Sequence, residues 1–229
     1  MVVIPSVSHV EWRPCYRIIP SRFPPVGLYD RVADPADLEA VFAVENLTNP
    51  RLRQETGEIS LVPPADRVAG PGTTPIMAAF THLNPEGSRC SDGTYGVYYA
   101  GRSLDTAIAE SRYHREQFLA RTKEGPIEIE MRTYLADLDG ELHDIRGRGD
   151  LQDIYHPDNH AAGLALGREL KAIHSYGVAH DSARDPGGEC AAVFRPLVLS
   201  NCLQGPHFGY LWSGARITTV IEKRLHAQY

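Results

Sequence analysis

The chain lacks the features that mark membrane, secreted and nucleic-acid-binding proteins. No run approaches the roughly 18 apolar residues of a membrane span, and the first ten residues have neither the apolar stretch nor the basic start of a signal peptide. Lys and Arg total 23 against 29 Asp and Glu, a net charge of -6, so the basic excess that a phosphate backbone requires is also missing. We therefore expect a cytoplasmic protein that binds no membrane and no nucleic acid directly.

Cysteine is scarce as well. The four cysteines are scattered, without a CxxC pair or the dense framework of a small secreted domain, and we expect them to be reduced and mostly buried: Cys15, Cys90, Cys190 and Cys202. With 229 residues and 42% hydrophobic content the chain can bury one core. A single domain over residues 1–229 is favoured, with an N-terminal extension at about residues 1–70 packed on the rest of the domain.

Several common motifs are absent. The sequence holds no GxGxxG after a strand, no GxxxxGK[ST] phosphate loop, no HExxH and no GxSxG. His156 and His160 are four residues apart, which suits a metal on a helix, but Pro157 lies between them and no third ligand is nearby. We expect no metal.

Prolines and glycines divide the first half of the chain. A short strand is predicted around residues 16–19, and Asp34 before Pro35 predicts a helix through residues 34–50. Five prolines and glycines lie between residues 63 and 72, and they indicate that residues 58–75 form a long surface connection. A short helix is predicted near residues 76–82.

The second half has clearer patterns. A strand at residues 96–100 precedes a helix that Ser103 caps and that runs towards residue 120, followed by a strand at residues 127–138 and a helix at residues 159–176. Further strands are predicted at residues 177–180, 190–194, 196–202 and 217–223. Because strands and helices are interleaved irregularly, the predicted class is α+β, with a twisted mixed or antiparallel sheet and flanking helices.

Residues suited to a dinucleotide concentrate between positions 87 and 110. Arg89 lies in a Gly- and Ser-rich loop, Tyr98 and Tyr99 on the next strand, and Glu110 in the next helix. A guanidinium grips a diphosphate, an aromatic face stacks on nicotinamide, and a carboxylate holds ribose hydroxyls or stabilises positive charge. Since Tyr98 and Tyr99 alternate across a strand, one is expected in the core and the other at a cleft.

The same residues could also have purely structural roles, and this alternative stays open. A lone arginine is usually a solvated surface group, and Glu110 has Arg102 or His114 as a partner on or near its own helix. Ser182 beside Asp181 is also suited to satisfying local backbone groups.

The order of these fragments resembles the RES domain, which is named for its arginine, glutamate and serine. The resemblance covers most of the chain: residues 16–17, 22–25, 47–52, 70–72, 77–81, 88–110, 177–182 and 187–190. It implies that Arg89, Glu110 and Ser182 are the named triad and that Arg17 and Tyr98 accompany them, with Tyr99 as the alternative to Tyr98. Cys90 departs from the family, which more usually has an aromatic residue there.

The resemblance also implies a fold and an activity. The family fold is similar to ADP-ribosyltransferases, and its members degrade NAD or transfer ADP-ribose to a protein. The chain is then expected to be the toxin of a type II toxin–antitoxin system, with NAD+ as substrate and no cofactor. Glu110 would stabilise an oxocarbenium-like ribose, Arg89 and Arg17 would hold the diphosphate, Tyr98 would shape the nicotinamide pocket, and Ser182 would bind the ribose or carboxamide.

Partners and alternatives follow from that expectation. A free NAD-consuming enzyme would kill its host, so we expect a hetero-complex with a helix-turn-helix antitoxin that blocks the active site. The acceptor is left open between water, phosphate and a protein side chain. One alternative is a protein ADP-ribosyltransferase that uses the same NAD+ site, and another is a non-catalytic nucleotide- or peptide-binding module.

Overall fold

A computed structural model describes residues 3–21, 30, 34–38, 40, 57–156, 159–224 and 226–227. Within these residues, seven strands form one sheet: β1 (Val7–Pro20), β2 (Tyr98–Gly101), β3 (Ile127–Asp144), β4 (Gly177–Asp181), β5 (Glu189–Val193), β6 (Leu199–Trp212) and β7 (Ile217–Lys223). Three α-helices flank it: α1 (Thr74–Thr81), α2 (Leu104–Ala120) and α3 (Ala161–Ala172). None of the described helices is long and apolar enough to cross a membrane.

Five of the strands close into a ring. The strand order is β1-β2-β5-β4-β3-β6-β7, and β1 also pairs with β3, so β6 and β7 extend outward from β3. The β3–β4 pairing is parallel, with His143 opposite Val178, whereas the other pairings are antiparallel. The prediction of an α+β fold with a mixed sheet and flanking helices is confirmed.

Three apolar clusters hold the helices against this sheet. The ring interior packs under α1 and includes Tyr98, Tyr134, Ala179, Val193, Ile76, Met77 and Phe80. A second cluster lies between α3 and the other face of β4 and β5, and includes Val178, Ala192, Leu166 and Leu170. A third joins α2 to β3 and β6 through Leu119, Met131, Phe208 and Trp212. Neighbouring residues of one strand therefore face different clusters.

The helix predictions are largely confirmed. The Ser103 hydroxyl accepts the backbone N–H of Thr106 at 3.1 Å and caps α2 as expected. The predicted helices at residues 76–82 and 159–176 are shifted or shorter, since α3 stops before His174, which has a φ of 56°. The four cysteines are free and buried, as predicted.

Three predictions need correction or lie outside the described residues. Residues 58–75 are not a surface connection throughout, because Ile59 and Val62 are buried and the Asp66 carboxylate accepts two N–H groups of Arg195 at 3.0 and 2.6 Å. The strand predicted at residues 196–202 begins as a 3-10 turn, Pro196–Val198, and continues to residue 212. Of the helix predicted at residues 34–50, the structure describes a 3-10 turn at Pro35–Asp37, and residues 41–50 lie outside the described part, as do residues 22–25 and 47–52.

Candidate active site

The carboxylate of Glu110 and the hydroxyl of Ser182 are in direct contact. Glu110 lies in α2, and Ser182 follows the last residue of β4. The Ser182 hydroxyl donates to Glu110 Oε1 at 2.6 Å, and the Ser182 N–H donates to the Gly188 carbonyl at 2.8 Å. The Glu110 side chain remains 22% exposed, so it is reachable from solvent. Two residues that are 72 positions apart in sequence thus form one polar pair.

The loop after β4 fixes the direction of the serine hydroxyl. Ser182 Oγ accepts the backbone N–H groups of Arg184 at 3.1 Å and Asp185 at 3.0 Å. It also lies within hydrogen-bonding reach of Cys190, whose thiol pKa is raised by burial. Because both N–H groups point at the oxygen, its single proton is directed to Glu110.

A second contact clamps the same loop onto α2. Thr106 Oγ1 donates to Asp185 Oδ2 at 2.6 Å and lies 2.8 Å from the Ser103 hydroxyl, while the Asp185 carbonyl accepts the Gly188 N–H at 2.9 Å. Thr106 is 1% exposed and stands one helical turn before Glu110. The clamp therefore sets the distance between the serine loop and the helix that carries the glutamate.

Arg89 lies beside this pair under the first turn of α3. Its Nη1 donates to the carbonyl oxygens of Ile154 at 2.7 Å and His156 at 3.1 Å. A Cβ built on Gly163 would lie 2.6 Å from the Arg89 carbonyl oxygen, so the helix can approach this closely only with glycine there. Both acceptors of Arg89 are neutral, and these bonds leave its positive charge available to an anion.

The two tyrosines of β2 point in opposite directions. The Tyr99 hydroxyl bonds Ser88 Oγ at 2.8 Å and accepts the Cys90 N–H at 3.0 Å, so it shapes the loop that carries Arg89. Tyr98 is fully buried in the ring interior, with the Arg17 guanidinium 4.8 Å from its ring centre. The structure thus groups Tyr99 with Arg89, and places Arg17 and Tyr98 together on the opposite face of β2.

Comparison with known proteins assigns these residues to a family. The model of the RES domain matches residues 64–213. The chain belongs to the RES domain family. It is 35% identical over 205 residues to the uncharacterized protein y4oC of Sinorhizobium fredii, covering 89% of this chain and 84% of that relative. A chain in the crystal structure of the M. tuberculosis MbcT-MbcA toxin-antitoxin complex matches over 86% of each chain, with a TM-score of 0.41 and 14% identity.

Two histidines of this RES domain border the triad and were not predicted as site residues. The charges of both Glu110 and Arg89 act on the rings of His114 and His180. His114 Nε2 lies 3.9 Å from Glu110 Oε2, and burial together with the nearby Arg184, Arg89 and His160 lowers the His114 pKa. The sequence signals were available, since His114 follows Glu110 by one helical turn and His180 precedes Ser182 by one strand period.

The protonation of His180 can be inferred from its contacts. Its Nδ1 lies 2.8 Å from the Asp181 carbonyl, which accepts hydrogen bonds and cannot donate them. Nδ1 must therefore carry the proton, which leaves Nε2 as an acceptor, and this atom is buried without a hydrogen-bond partner. Burial lowers the pKa of His180 and favours the neutral ring.

Further groups form the rim of the RES site. The Arg184 guanidinium stacks 3.2 Å from the centre of the Tyr113 ring, and Tyr113 meets His114 edge-on at 5.6 Å. Among the residues that the structure describes, no three His, Cys, Asp or Glu side chains are placed to hold a metal ion. His156 and His160 thus gain no third ligand there.

Cys90 shows how this chain accommodates its departure from the family pattern. The side chain is 2% exposed and belongs to the cluster beneath α3. The backbone of Gly167 in α3 lies directly against the Cys90 carbonyl. A small thiol therefore fits beneath the helix, and burial raises its pKa to about 11, so it stays protonated near neutral pH.

Proposed function

We propose that this RES domain is the toxin of a toxin–antitoxin pair and that it cleaves the nicotinamide–ribose bond of NAD+. The observation that carries the proposal is the Ser182–Glu110 hydrogen bond of 2.6 Å, with the charge of Arg89 acting on the same neighbours. A carboxylate that is fixed before the substrate arrives needs no reorganisation when positive charge develops next to it. Cleavage of a glycosidic bond at a ribose requires such stabilisation of positive charge.

The proposed chemistry uses the triad in separate roles. The bond between ribose C1′ and the nicotinamide nitrogen breaks, and its electron pair leaves with the now neutral nicotinamide. The Glu110 carboxylate stabilises the oxocarbenium-like ribose, Ser182 orients that carboxylate and the ribose, and Arg89 grips the diphosphate. An acceptor oxygen of water or phosphate then bonds to C1′ and loses its proton. NAD+ is the substrate, and no cofactor is needed.

The proposal includes a protein partner. An unrestrained enzyme of this kind would deplete the NAD of the cytoplasm in which it acts, so a neighbouring inhibitor is required. We assign that role to a helix-turn-helix antitoxin that blocks the entrance to the Glu110 site, as the family resemblance implies. Such a hetero-complex should be inactive until the antitoxin is lost.

The test compares two charge-neutralising changes on the same helix. Glu110→Gln removes the proposed catalytic charge, whereas Glu116→Gln removes a charge whose Oε1 accepts the Ile217 N–H at 2.9 Å and keeps that acceptor as an amide. Cells induced for the native chain or for Glu116→Gln should lose NAD and stop growing. Cells induced for Glu110→Gln should keep both NAD and growth.

Purified antitoxin-free protein separates the remaining functions. With NAD+ labelled in its adenine half, free nicotinamide and a small labelled product identify hydrolysis or phosphorolysis. Label that becomes attached to protein identifies an ADP-ribosyltransferase instead. If the native chain releases no nicotinamide under any of these conditions, the site is a binding module and the proposal is wrong.

A further inference from the structure

One row of the sheet passes beneath the start of helix α2. Gly101 in β2 stands opposite Cys190 in β5, and Cys190 stands opposite His180 in β4. Directly opposed residues of antiparallel strands project to the same face. A Cβ built on Gly101 would lie 2.8 Å from the Ala107 nitrogen, so the first turn of α2 lies against this face. The side chains of Cys190 and His180 therefore lie on the side of the sheet that α2, with Glu110, covers.

His180 has an unused hydrogen-bond acceptor in this position. The charges of Glu110 and Arg89 both act on its ring, and the residue is 7% exposed. Its Nδ1 donates to the Asp181 carbonyl at 2.8 Å, which turns that side of the ring back to the strand and leaves the lone pair of Nε2 on the far side. Nε2 is buried and has no hydrogen-bond partner among the residues that the structure describes.

An unpaired buried acceptor is rare because it destabilises a fold. Such an atom also keeps its full dipole, since no donor offsets the partial negative charge of its lone pair. In the interior of a protein, where the dielectric constant is low, that dipole acts strongly on neighbouring charges. The interior beside Glu110 thus holds the negative end of a fixed dipole, at a cost in stability.

The surroundings keep the His180 ring neutral. Charged and titratable groups reach this part of the site from several elements: Glu110 and His114 from α2, Arg89 from the loop before β2, Asp181, Arg184 and Asp185 from the end of β4 and the loop after it, Cys190 from β5, and His160 from the start of α3. Burial lowers the pKa of His180, and the charge of Arg89 acts in the same direction, whereas the Glu110 and Asp181 charges oppose it. Cys190 stays a neutral thiol because burial raises its pKa.

We propose that the neutral imidazole of His180 directs the negative end of its dipole at the ribose bound beside Glu110 and helps to stabilise the positive charge that develops there. This inference rests on the proposed NAD+ cleavage, which supplies the positively charged ribose. Because Nε2 is buried, His180 does not contact the substrate and acts through space together with the Glu110 carboxylate. The hydrogen bond to the Asp181 carbonyl fixes the direction of the dipole, so no reorganisation is needed when the charge appears.

The test makes the same change at two buried histidines. His143 matches His180 because it is also 7% exposed and its Nδ1 lies 2.7 Å from a backbone carbonyl, that of Pro5. We expect His180→Phe to lower kcat for nicotinamide release about tenfold with little change in KM, since the ring acts on the transition state and not on substrate binding. His143→Phe should keep the native kcat.

Two readouts separate the dipole from packing. The side chain of His180→Gln can place its amide oxygen near the position of Nε2, so this variant should recover part of the kcat that His180→Phe loses. Protonation would reverse the sign of the charge on the ring, so the native kcat should fall as the pH drops below 6.5. This acid step should be absent from both His180 variants. His114 still titrates in all three proteins, so only the step that disappears belongs to His180.

Binding of a stable cation tests the dipole without turnover. A protonated iminoribitol carries a positive charge in its ring, whereas ribose is neutral. Both are titrated by calorimetry into the full-length native protein, His180→Phe and His143→Phe. The native protein and His143→Phe should prefer the cation, and His180→Phe should lose about tenfold of that preference. Equal preferences of the native protein and His180→Phe would overturn the inference whether or not the chain cleaves NAD+.

The kinetic outcomes are equally decisive. A native kcat in His180→Phe, equal losses in His180→Phe and His143→Phe, or a His180→Gln protein as slow as His180→Phe would each contradict the role of the dipole. If His180→Phe shows no cooperative melting transition, His180→Gln alone decides: loss of the acid step with most of the kcat retained supports the inference, and an unchanged acid step overturns it. Failure of the proposed function looks different, because the native chain itself then releases no nicotinamide.

Discussion

The Ser182 hydroxyl connects Glu110 to the loop after β4, because it donates to the carboxylate and accepts backbone N–H groups of the loop. Changing Ser182→Ala removes the donor to Glu110 and leaves the N–H groups of Arg184 and Asp185 without their acceptor. A hydrogen bond to a charged group is worth about 1.5–3 kcal/mol, so we expect kcat for NAD+ cleavage to fall roughly 10- to 100-fold. Steady-state kinetics of nicotinamide release provides the measurement.

Ser213 offers a matched control for that substitution. Its hydroxyl accepts the backbone N–H groups of Ala215 at 3.4 Å and Arg216 at 3.2 Å in an exposed turn, without a carboxylate partner. Ser213→Ala should therefore leave kcat unchanged. Equal losses in the two variants would mean that Ser182 acts only by holding its turn.

His180 should make stability depend on pH. Its pKa in the folded state lies below the usual value because the ring is buried, so below pH 6.5 the unfolded state binds more protons than the folded state. The free energy of unfolding should then fall as the pH is lowered from 7.5 to 5.5. In His180→Gln this fall should be smaller, whereas the exposed His226→Gln should retain the native slope. Urea unfolding at several pH values measures the slope, and identical slopes in all three proteins would contradict the argument.

For single residues, the sequence pattern identifies candidate site residues but does not show which of them are in contact. Arg89, Glu110 and Ser182 were predicted because their order resembles a known family, and the structure shows the last two hydrogen-bonded. Nothing in a one-dimensional pattern shows that His180 Nε2 is buried without a hydrogen-bond partner, since that depends on contacts between segments distant in sequence. The function of all these side chains toward NAD+ stays a prediction until the experiments are done.

Between α2 and the loop after β4, the Thr106–Asp185 clamp should act on catalysis without touching substrate. Thr106→Val keeps the side-chain shape but loses the 2.6 Å hydrogen bond and leaves the partly buried Asp185 carboxylate with one donor fewer. We expect kcat to fall about tenfold with little change in KM, because Ser182 is no longer held at a fixed distance from Glu110.

Two further variants separate positioning from general destabilisation. Thr106→Ser restores the hydroxyl and should recover most of the lost kcat, which a loss of packing alone would not allow. Thr94→Val removes a bond of the same kind, Thr94 to Asp92 at 2.6 Å, in an exposed loop and should not change kcat. A Thr106→Val enzyme with native kcat would show that the loop is positioned by other contacts.

Elements with strong periodicity and caps were predicted well, and those shaped by tertiary contacts were not. Ser103 at the start of α2 and the β-branched run of β7 carry local signals, and both elements match their predicted starts. Residues 58–75 carry prolines and glycines that indicate irregular backbone, but these residues do not reveal that Asp66 is buried against Arg195. Strand β1 extends from residue 7 because β3 pairs along its whole length.

For the whole molecule, β1 is the strand that closes the ring, because it pairs with both β2 and β3. This strand pairs with β3 from Val7 to Pro20 and with β2 at Tyr16, and it contributes Val10, Trp12 and Cys15 to the core at 2%, 5% and 0% exposure. The RES model begins only at residue 64, so the match to the family model does not include β1. Without β1, however, β3 presents a long unpaired edge and the ring interior is open to water.

We therefore expect the fragment 57–229 to lack a cooperative unfolding transition by circular dichroism and to release no nicotinamide from NAD+. Adding a peptide of residues 1–56 should restore both properties, because it supplies the missing strand together with Arg17 and with Leu38, which is 0% exposed in the same core. A peptide with Cys15→Asp should fail, since it would bury a carboxylate at a position that is 0% exposed. Cooperative unfolding of the fragment alone would show instead that β3, β4 and β5 form a stable core without ring closure, and that β1 is an accessory strand.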